Sequence, residues 1–429
     1  MLFPTALAHI VAGALTLPIA FAAPYISPSD RRNGHPWNQG PSDVLKPKIV
    51  IISMFSYEAD VWHGIPEFDL LEKNVTVTGF SPQYPEAHCT ANGEICQVIT
   101  AMGEINAAAT ITALVLSPLF DLQSTYFLIG GIAGVNPEVA TICSVTFARY
   151  AVQVALQYEI DAREIPANFS NGYVPLGSMS PDQYPLSIYG TEVFELNANL
   201  QHQAAFFAQQ ATLQDSATAM AFRSNFHPDI AGTNIYAAGA SAPSVVQCDS
   251  ATSDTWFSGT LLSEAFGNYT RLVTNGTGNY CTTSQEDNGT LEALIRGAKA
   301  GLLDFARIIV MRTGADFDRP FPGLDPTVNL FYTETLQGAF GPSVANIYLA
   351  GIKIVEGILN NWTAMFESGV AATNYIGDIL GSLGGTPDFG PGSTTGETLM
   401  STSTAGVKGR MWPGMVEKEG NALLPRMRV

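Results

Sequence analysis

Four short β-branched and aliphatic runs constrain this chain most: Lys48-Ile-Val-Ile-Ile-Ser53, Gln97-Val-Ile-Thr100, Thr125-Tyr-Phe-Leu-Ile129 and Ala306-Arg-Ile-Ile-Val-Met311. None alternates apolar with polar residues. A strand that is apolar at successive positions is buried on both faces, which is the pattern of a parallel sheet covered by helices. Helical stretches over residues 107–114, 290–304 and 344–359 supply the cover, and the last carries Asn346, Lys353 and Glu356 on an otherwise apolar run. That suits an amphipathic helix on a core. The expected class is α/β, a mostly parallel central sheet flanked by helices with right-handed crossovers.

Residues 155–235 differ: they are rich in Pro and Gly, with a helix expected around residues 197–213. They read as a large loop-rich insertion over one face of the sheet. Residues 24–45 read as a linker and residues 384–429, Gly/Ser/Thr-rich with Lys408 and Arg410, as a disordered tail. One domain over residues 46–383 is left.

Leu2 to Ala23 is apolar and closes on Ala20-Phe21-Ala22. This reads as a signal peptide over residues 1–23, cut after Ala22 or Ala23. The stretch before it holds no Lys or Arg, so an uncleaved anchor is the alternative; Pro4 and Pro18 argue against a long helix there. Six Asn-x-Ser/Thr sequons follow, at Asn74, Asn168, Asn268, Asn275, Asn288 and Asn361. Behind a signal peptide they imply glycosylation, each accepted site on a surface. The expected location is secreted or cell-surface. Of five cysteines, Cys143 lies in an apolar run and reads as a buried thiol, while Cys89, Cys96, Cys248 and Cys281 can pair as Cys89–Cys96 and Cys248–Cys281. No Cys-x-x-Cys occurs and the six His are dispersed, so neither a metal site nor a cofactor is expected.

Charge excludes a function class. Against 20 Lys+Arg stand 38 Asp+Glu, a formal net charge of -18, and such a surface repels a phosphate backbone, so nucleic acid is not an expected partner. After residue 24 no uninterrupted apolar run reaches the ~20 residues of a membrane span.

In an open α/β sheet ligands bind at the carboxyl ends of the strands, so the residues there matter most. They are Ser53-Met-Phe-Ser-Tyr-Glu58, Gly103-Glu-Ile-Asn106-Ala-Ala108, Gly130-Gly131-Ile-Ala133-Gly134 and Arg312-Thr-Gly-Ala-Asp316-Phe-Asp318-Arg319, with Gln285-Glu286-Asp287 before the helix that precedes the last strand. The glycines read equally as tight turns. Asp287 and Asp318 read as surface or helix-capping carboxylates, or as partners of Arg319.

In order and spacing these segments resemble the nucleoside phosphorylase/nucleosidase superfamily. Glu58 stands in register with the Glu of its Gly-Ala-Met-x-x-Glu run. Gly103 to Ala108 resembles its Gly-x-x-x-Asn-Ala-Ala helix start, and Gly131 to Gly134 its Gly-Ser/Thr-Ala-Gly turn. Gln285-Glu286 stands for its ribose-binding Met-Glu, and Arg312 to Asp316 for its Arg-x-x-Ser-Asp. A closer resemblance, over roughly residues 46–370, is to the fungal purine nucleoside permease family. It is carried by Gln153-Val-Ala-Leu-Gln-Tyr-Glu159, Tyr189-Gly-Thr-Glu192, Thr274-Asn-Gly-Thr-Gly-Asn-Tyr-Cys281, Gln285-Glu-Asp287 and Phe317-Asp-Arg-Pro320.

The resemblance implies a nucleoside phosphorylase-like fold and a purine nucleoside as ligand, bound in support of transmembrane transport. A membrane partner for uptake and a homo-oligomer are left open. It implies a site with Glu58 and Asp316 as catalytic groups and Gln285, Glu286, Arg312, Asn106, Gly131, Ala133 and Gly134 around the substrate. In glycosidic cleavage Asp316 would be the acid at the purine N7, Glu286 would accept hydrogen bonds from the ribose 2′- and 3′-hydroxyls, and Glu58 would activate water. Leu128 and Ile132 stand where a phosphorylase needs Arg and a hydroxyl, so water rather than phosphate is the expected nucleophile. Gln285 and Ala315 replace the superfamily's Met and Ser. The alternative function is therefore a secreted purine nucleoside hydrolase.

Overall fold

The structure is a computed structural model that describes residues 44–389. The expected signal peptide, nearly all of the linker and most of the tail lie outside the described residues.

A 13-stranded sheet organises the chain. At its centre β1 (Ile49–Ser53) lies parallel between β2 (Ile95–Ile99) and β3 (Tyr126–Val135). β4 (Tyr280–Ser284) meets the far end of β3 antiparallel at Thr282–Val135, and β5 (Ile308–Phe317) runs parallel to β3 along its length. Asp249–Thr252 lies parallel between β4 and Tyr150–Gln153. Antiparallel strands close the margins: Glu86–Cys89 and Lys73–Thr76 beyond β2, Val193–Glu195 and Gly377–Asp378 at the other edge. The expected parallel arrangement thus holds among inner strands, and the whole sheet is mixed.

The apolar run of β1 shows why the strands read as they do. Val50 and Ile52 enter one core layer with Ile111, Leu114, Leu291 and Leu294, whereas Ile49 and Ile51 enter the other with Leu200, Ala204, Ile347 and Val355. Successive side chains point to opposite faces, so a strand covered on both sides must be apolar at every position. Each such side chain is worth roughly 1.5–3 kcal/mol when fully buried. The covering helices are α2 (Glu104–Leu116) and α4 (Asp287–Lys299) on one face, α3 (Ala198–Ala208) and α5 (Phe340–Asn360) on the other. By length and composition α5 could cross a membrane; in the fold its buried face, including Ile347, Ala350, Ile354 and Val355, lies in the core layer beside β5.

Three expectations are corrected. The stretch 155–235 is not wholly an insertion, since Val193–Glu195 pairs into the sheet and α3 packs beneath it. The tail does not begin at residue 384, because Phe389 is buried against Tyr150 and Tyr375. The sequon at Asn288 is not on a surface: its side chain is 2% exposed and donates to the Thr191 carbonyl at 2.6 Å. Asn74, Asn168, Asn268, Asn275 and Asn361 are exposed. Disulfides join Cys89 to Cys96 and Cys248 to Cys281, and Cys143 is a buried free thiol.

Candidate functional site

A cavity of about 280 Å³ opens where β1, β3, β4 and β5 deliver their last residues. After β1 the chain turns at once into α1 (Ser56–Asp60), which carries Glu58 inward to 1% exposure. Its Oε2 accepts the Met54 N–H and its Oε1 the Ile132 N–H, both at 2.8 Å. One carboxylate thereby ties the end of β1 to the middle of β3.

Gly130, Gly131 and Gly134 lie inside β3, not in a turn after it. The reason is spatial. A Cβ on Gly131 would stand 2.0 Å from Met54 Cε, 2.6 Å from Glu58 Oε1 and 2.7 Å from Arg312 Nη1. Glycine in a strand marks such close approach. β5 likewise continues through the residues expected beyond it, aligning Arg312 with Gly131 and, past a register shift after Gly314, Asp316 with Gly134. That irregularity sets where Asp316 falls along the cavity wall.

Arg312 is 1% exposed; its guanidinium bonds Asp287 and stands 3.8 Å from the Glu286 carboxylate. Asp287, at the start of α4, is fully buried and also accepts the Ser250 and Ser284 hydroxyls at 2.8 Å each. It is neither a surface group nor a partner of Arg319. Asp318 is that partner, at 2.8 and 2.9 Å, and takes a hydrogen bond from the Tyr280 hydroxyl at 2.6 Å. Glu286 Oε1 accepts the Gly103 N–H at 2.9 Å. Asp316 differs from all of these: among the described residues its carboxyl group has no hydrogen-bond partner.

Burial dominates the protonation of the site. It pushes the Glu58 carboxyl up to about 8, outweighing Arg312 and the two main-chain donors that favour the charged form. It raises Asp316 to about 7, with Asp318 adding repulsion. Glu286 is also raised by burial, against the pull of Arg312. Burial works against the charge on Arg312, yet Asp287 and Glu286 hold it firmly protonated.

The structure brings Glu58, Gln285, Glu286, Arg312, Ala133, Gly134 and Asp316 to the cavity wall. Gly131 and Asn106 do not line it. Gly131 lies behind Glu58 and Arg312, and Asn106 is exposed on the first turn of α2, donating to the Met102 carbonyl at 2.7 Å. The residues of the apolar walls were not named by the sequence: Trp256 and Phe257 from the loop after Asp249–Thr252, Leu330, and Phe340, whose ring meets Tyr57 edge-on at 5.6 Å. The strand that delivers the Trp256 loop reads Asp-Ser-Ala-Thr, with no apolar run to betray it. A Trp-Phe pair beside Gly259 was the only signal.

Aromatic walls suit a planar base, and three carboxyl groups suit hydroxyls and ring nitrogens. Arg312 lines the cavity too, with its charge met by Asp287 and Glu286.

Residues 46–371 match the family model described as purine nucleoside permease. The chain is 44% identical over 355 residues to a purine nucleoside permease of Candida albicans, covering 82% of this chain and 84% of that protein. A probable purine nucleoside permease of Schizosaccharomyces pombe is 39% identical over 332 residues, 76% of this chain and 92% of its own. Among solved structures, the 5′-methylthioadenosine/S-adenosylhomocysteine nucleosidase of Neisseria meningitidis, in complex with methylthio-immucillin-A, aligns with a TM-score of 0.41 at 13% identity, over 71% of this chain and 98% of that one. The Streptococcus pneumoniae nucleosidase with 8-aminoadenine gives 0.40 at 16% identity, over 71% and 99%. On the family match and the fungal relatives, the chain belongs to the purine nucleoside permease family.

Proposed function

We propose that this protein binds a purine nucleoside in the strand-end cavity, in support of nucleoside transport. The observation that carries the reading is the cavity itself, which joins Glu58, Glu286 and Asp316 with Trp256, Phe257 and Phe340 in one volume of about 280 Å³. That is near the lower end of the ~300–1,000 Å³ of ordinary small-molecule sites. The base stacks on the aromatic wall. Glu286 accepts from the ribose hydroxyls. Asp316, raised to about 7, is protonated in part at neutral pH and donates to a purine ring nitrogen. Glu58 holds the wall: each of its oxygens already accepts a main-chain N–H, which suits a fixed binding site better than a base that must take a proton from water.

The two disulfides fit the secretory pathway, and we place the protein at the cell surface or outside it, with its signal peptide removed and glycans on exposed sequons. Passage across the bilayer falls to a membrane partner.

Titration calorimetry of the secreted protein with adenosine tests the reading, alongside an assay for free adenine with and without phosphate. Saturable binding, indifferent to phosphate and without release of adenine, is expected. No binding defeats the reading; release of adenine replaces it with hydrolysis. Uptake of labelled adenosine by cells with and without the chain tests the transport step.

A further inference from the structure

The helix α2 starts without a cap of its own. Its N-cap is Gly103, at φ 92°, and no side chain at that position serves the first N–H groups, which need acceptors. Two carboxylates distant in sequence serve them instead. Glu286 Oε1 accepts from the Gly103 N–H at 2.9 Å and Asp254 Oδ1 from the Glu104 N–H at 2.8 Å. The latter bond spans 150 residues. Asp254 does more than cap. Its carbonyl accepts from Gln285 Nε2 at 3.1 Å, and the neighbouring Ser253 N–H donates to the Ser284 carbonyl at 2.9 Å. It stands where three walls of the cavity meet: the turn at 102–104, the loop that bears Trp256, and the strand end that bears Glu286.

We propose that Asp254 is a positioning residue for nucleoside recognition, which occupies the second N–H of α2 so that Glu286 stays on the first and presents its carboxylate to the ribose. This rests on the nucleoside reading above. Asp254 is exposed and lies outside the cavity lining, so it acts through Glu286 rather than on the ligand. The Glu104 carboxylate is engaged elsewhere, its Oε1 accepting from Gln153 Nε2 at 2.8 Å. With Asp254 gone, the unmet Glu104 N–H draws the Glu286 carboxylate toward the helix axis, since an anion is favoured there by both free donors and helix dipole. The ribose then loses its acceptor while the aromatic wall for the base remains.

Calorimetry with two probes, adenosine and adenine, on Asp254→Ala and Asp254→Asn tests this. Asp254→Ala weakens adenosine ~10-fold, the worth of one hydrogen bond to a charged group, and leaves adenine unchanged. Asp254→Asn, whose amide oxygen still accepts from the Glu104 N–H, keeps wild-type affinity for both. Equal loss for adenosine and adenine, no loss for either, or failure of Asn to rescue overturns the proposal. A second measurement does not depend on the Ala variant alone: on a Glu104→Pro background the donor is absent, proline being tolerated at a first helical position, and Asp254→Asn and Asp254→Ala then bind adenosine alike. A further loss with Ala on that background also overturns it. Wild-type protein that binds no adenosine defeats the nucleoside reading and this one with it, whereas tight wild-type binding beside an indifferent Asp254→Ala defeats the positioning role only.

Discussion

At one end of the cavity the carboxylates are answered by the protein, and at the other Asp316 is not. Glu58 holds two main-chain N–H groups, Glu286 holds the start of α2, and Asp287 holds Arg312 and two hydroxyls. Asp316, on the same cavity, has no donor, and Asp318 adds repulsion. Burial lifts both ends, Glu58 to about 8 and Asp316 to about 7, but the consequence differs. The first group is tied to main-chain N–H groups, to Arg312 or to hydroxyls and fixes the walls. The second has its hydrogen-bonding capacity left over.

Arg312→Met breaks the answered end and has the largest expected effect. It leaves Asp287 and Glu286 without their cation, and removing one partner of a buried pair costs ~3–5 kcal/mol. Urea unfolding measures it. A cost below ~1 kcal/mol, the value of an exposed ion pair, would show that this end is not held as described. Gly131→Ala should follow at ~1–3 kcal/mol, the usual range for overpacking, because its methyl group would intrude on Met54, Glu58 and Arg312 together.

Asp316→Asn probes the other end and should have the opposite signature. The Asn amide still donates to the ring nitrogen, so adenosine affinity at about pH 6 is kept and the weakening that loss of the Asp316 proton at about 7 imposes on the wild type disappears, while stability does not fall. The sign of the pH dependence follows from the raised values. A carboxyl whose folded value exceeds its ordinary value of ~4 binds more protons folded than unfolded, so stability declines as pH rises from ~4 through the folded value. For Asp316 that window closes at about 7 and for Glu58 at about 8. Melting temperatures of wild type and Asp316→Asn should therefore diverge between about pH 4 and 7, the variant declining less, and run parallel above it. Parallel curves throughout would mean that Asp316 is solvated like an ordinary surface group.

How much of this was legible varied with the range of the contacts. The inner strands were legible because burial on both faces leaves a local mark, as in Ile49 to Ser53. Glu58 and Asp316 were legible because each follows or lies in such a strand, whereas Glu286 was legible only through the motif it resembles, its own strand reading Tyr-Cys-Thr-Thr-Ser. The glycines of β3 misled: Gly130 and Gly131 read as a turn, whereas both lie in the strand and Gly131 admits Met54, Glu58 and Arg312, residues whose arrival no local pattern announces. The Trp256 wall and the Asp254 cap were illegible for the same reason. Their strand is short, polar in composition and buried only by tertiary pairing, which overrides propensity.

The smallest expected effect falls on Asn106, which the helix-start motif placed beside the substrate. In the structure its amide turns back on the Met102 carbonyl at 2.7 Å and faces solvent on the first turn of α2. Met102 itself lines the cavity, so Asn106 touches the site only through a main-chain oxygen that solvent can serve in its place. Asn106→Ala should leave adenosine affinity unchanged and stability within ~0.5 kcal/mol, the range of surface substitutions. Calorimetry beside Asp254→Ala makes the contrast sharp, since both residues sit at the start of the same helix and differ in whether they satisfy an N–H that Glu286 would otherwise be drawn to. A tenfold loss for Asn106→Ala would bring that residue back to the ligand and extend the answered end of the cavity across the first turn of α2.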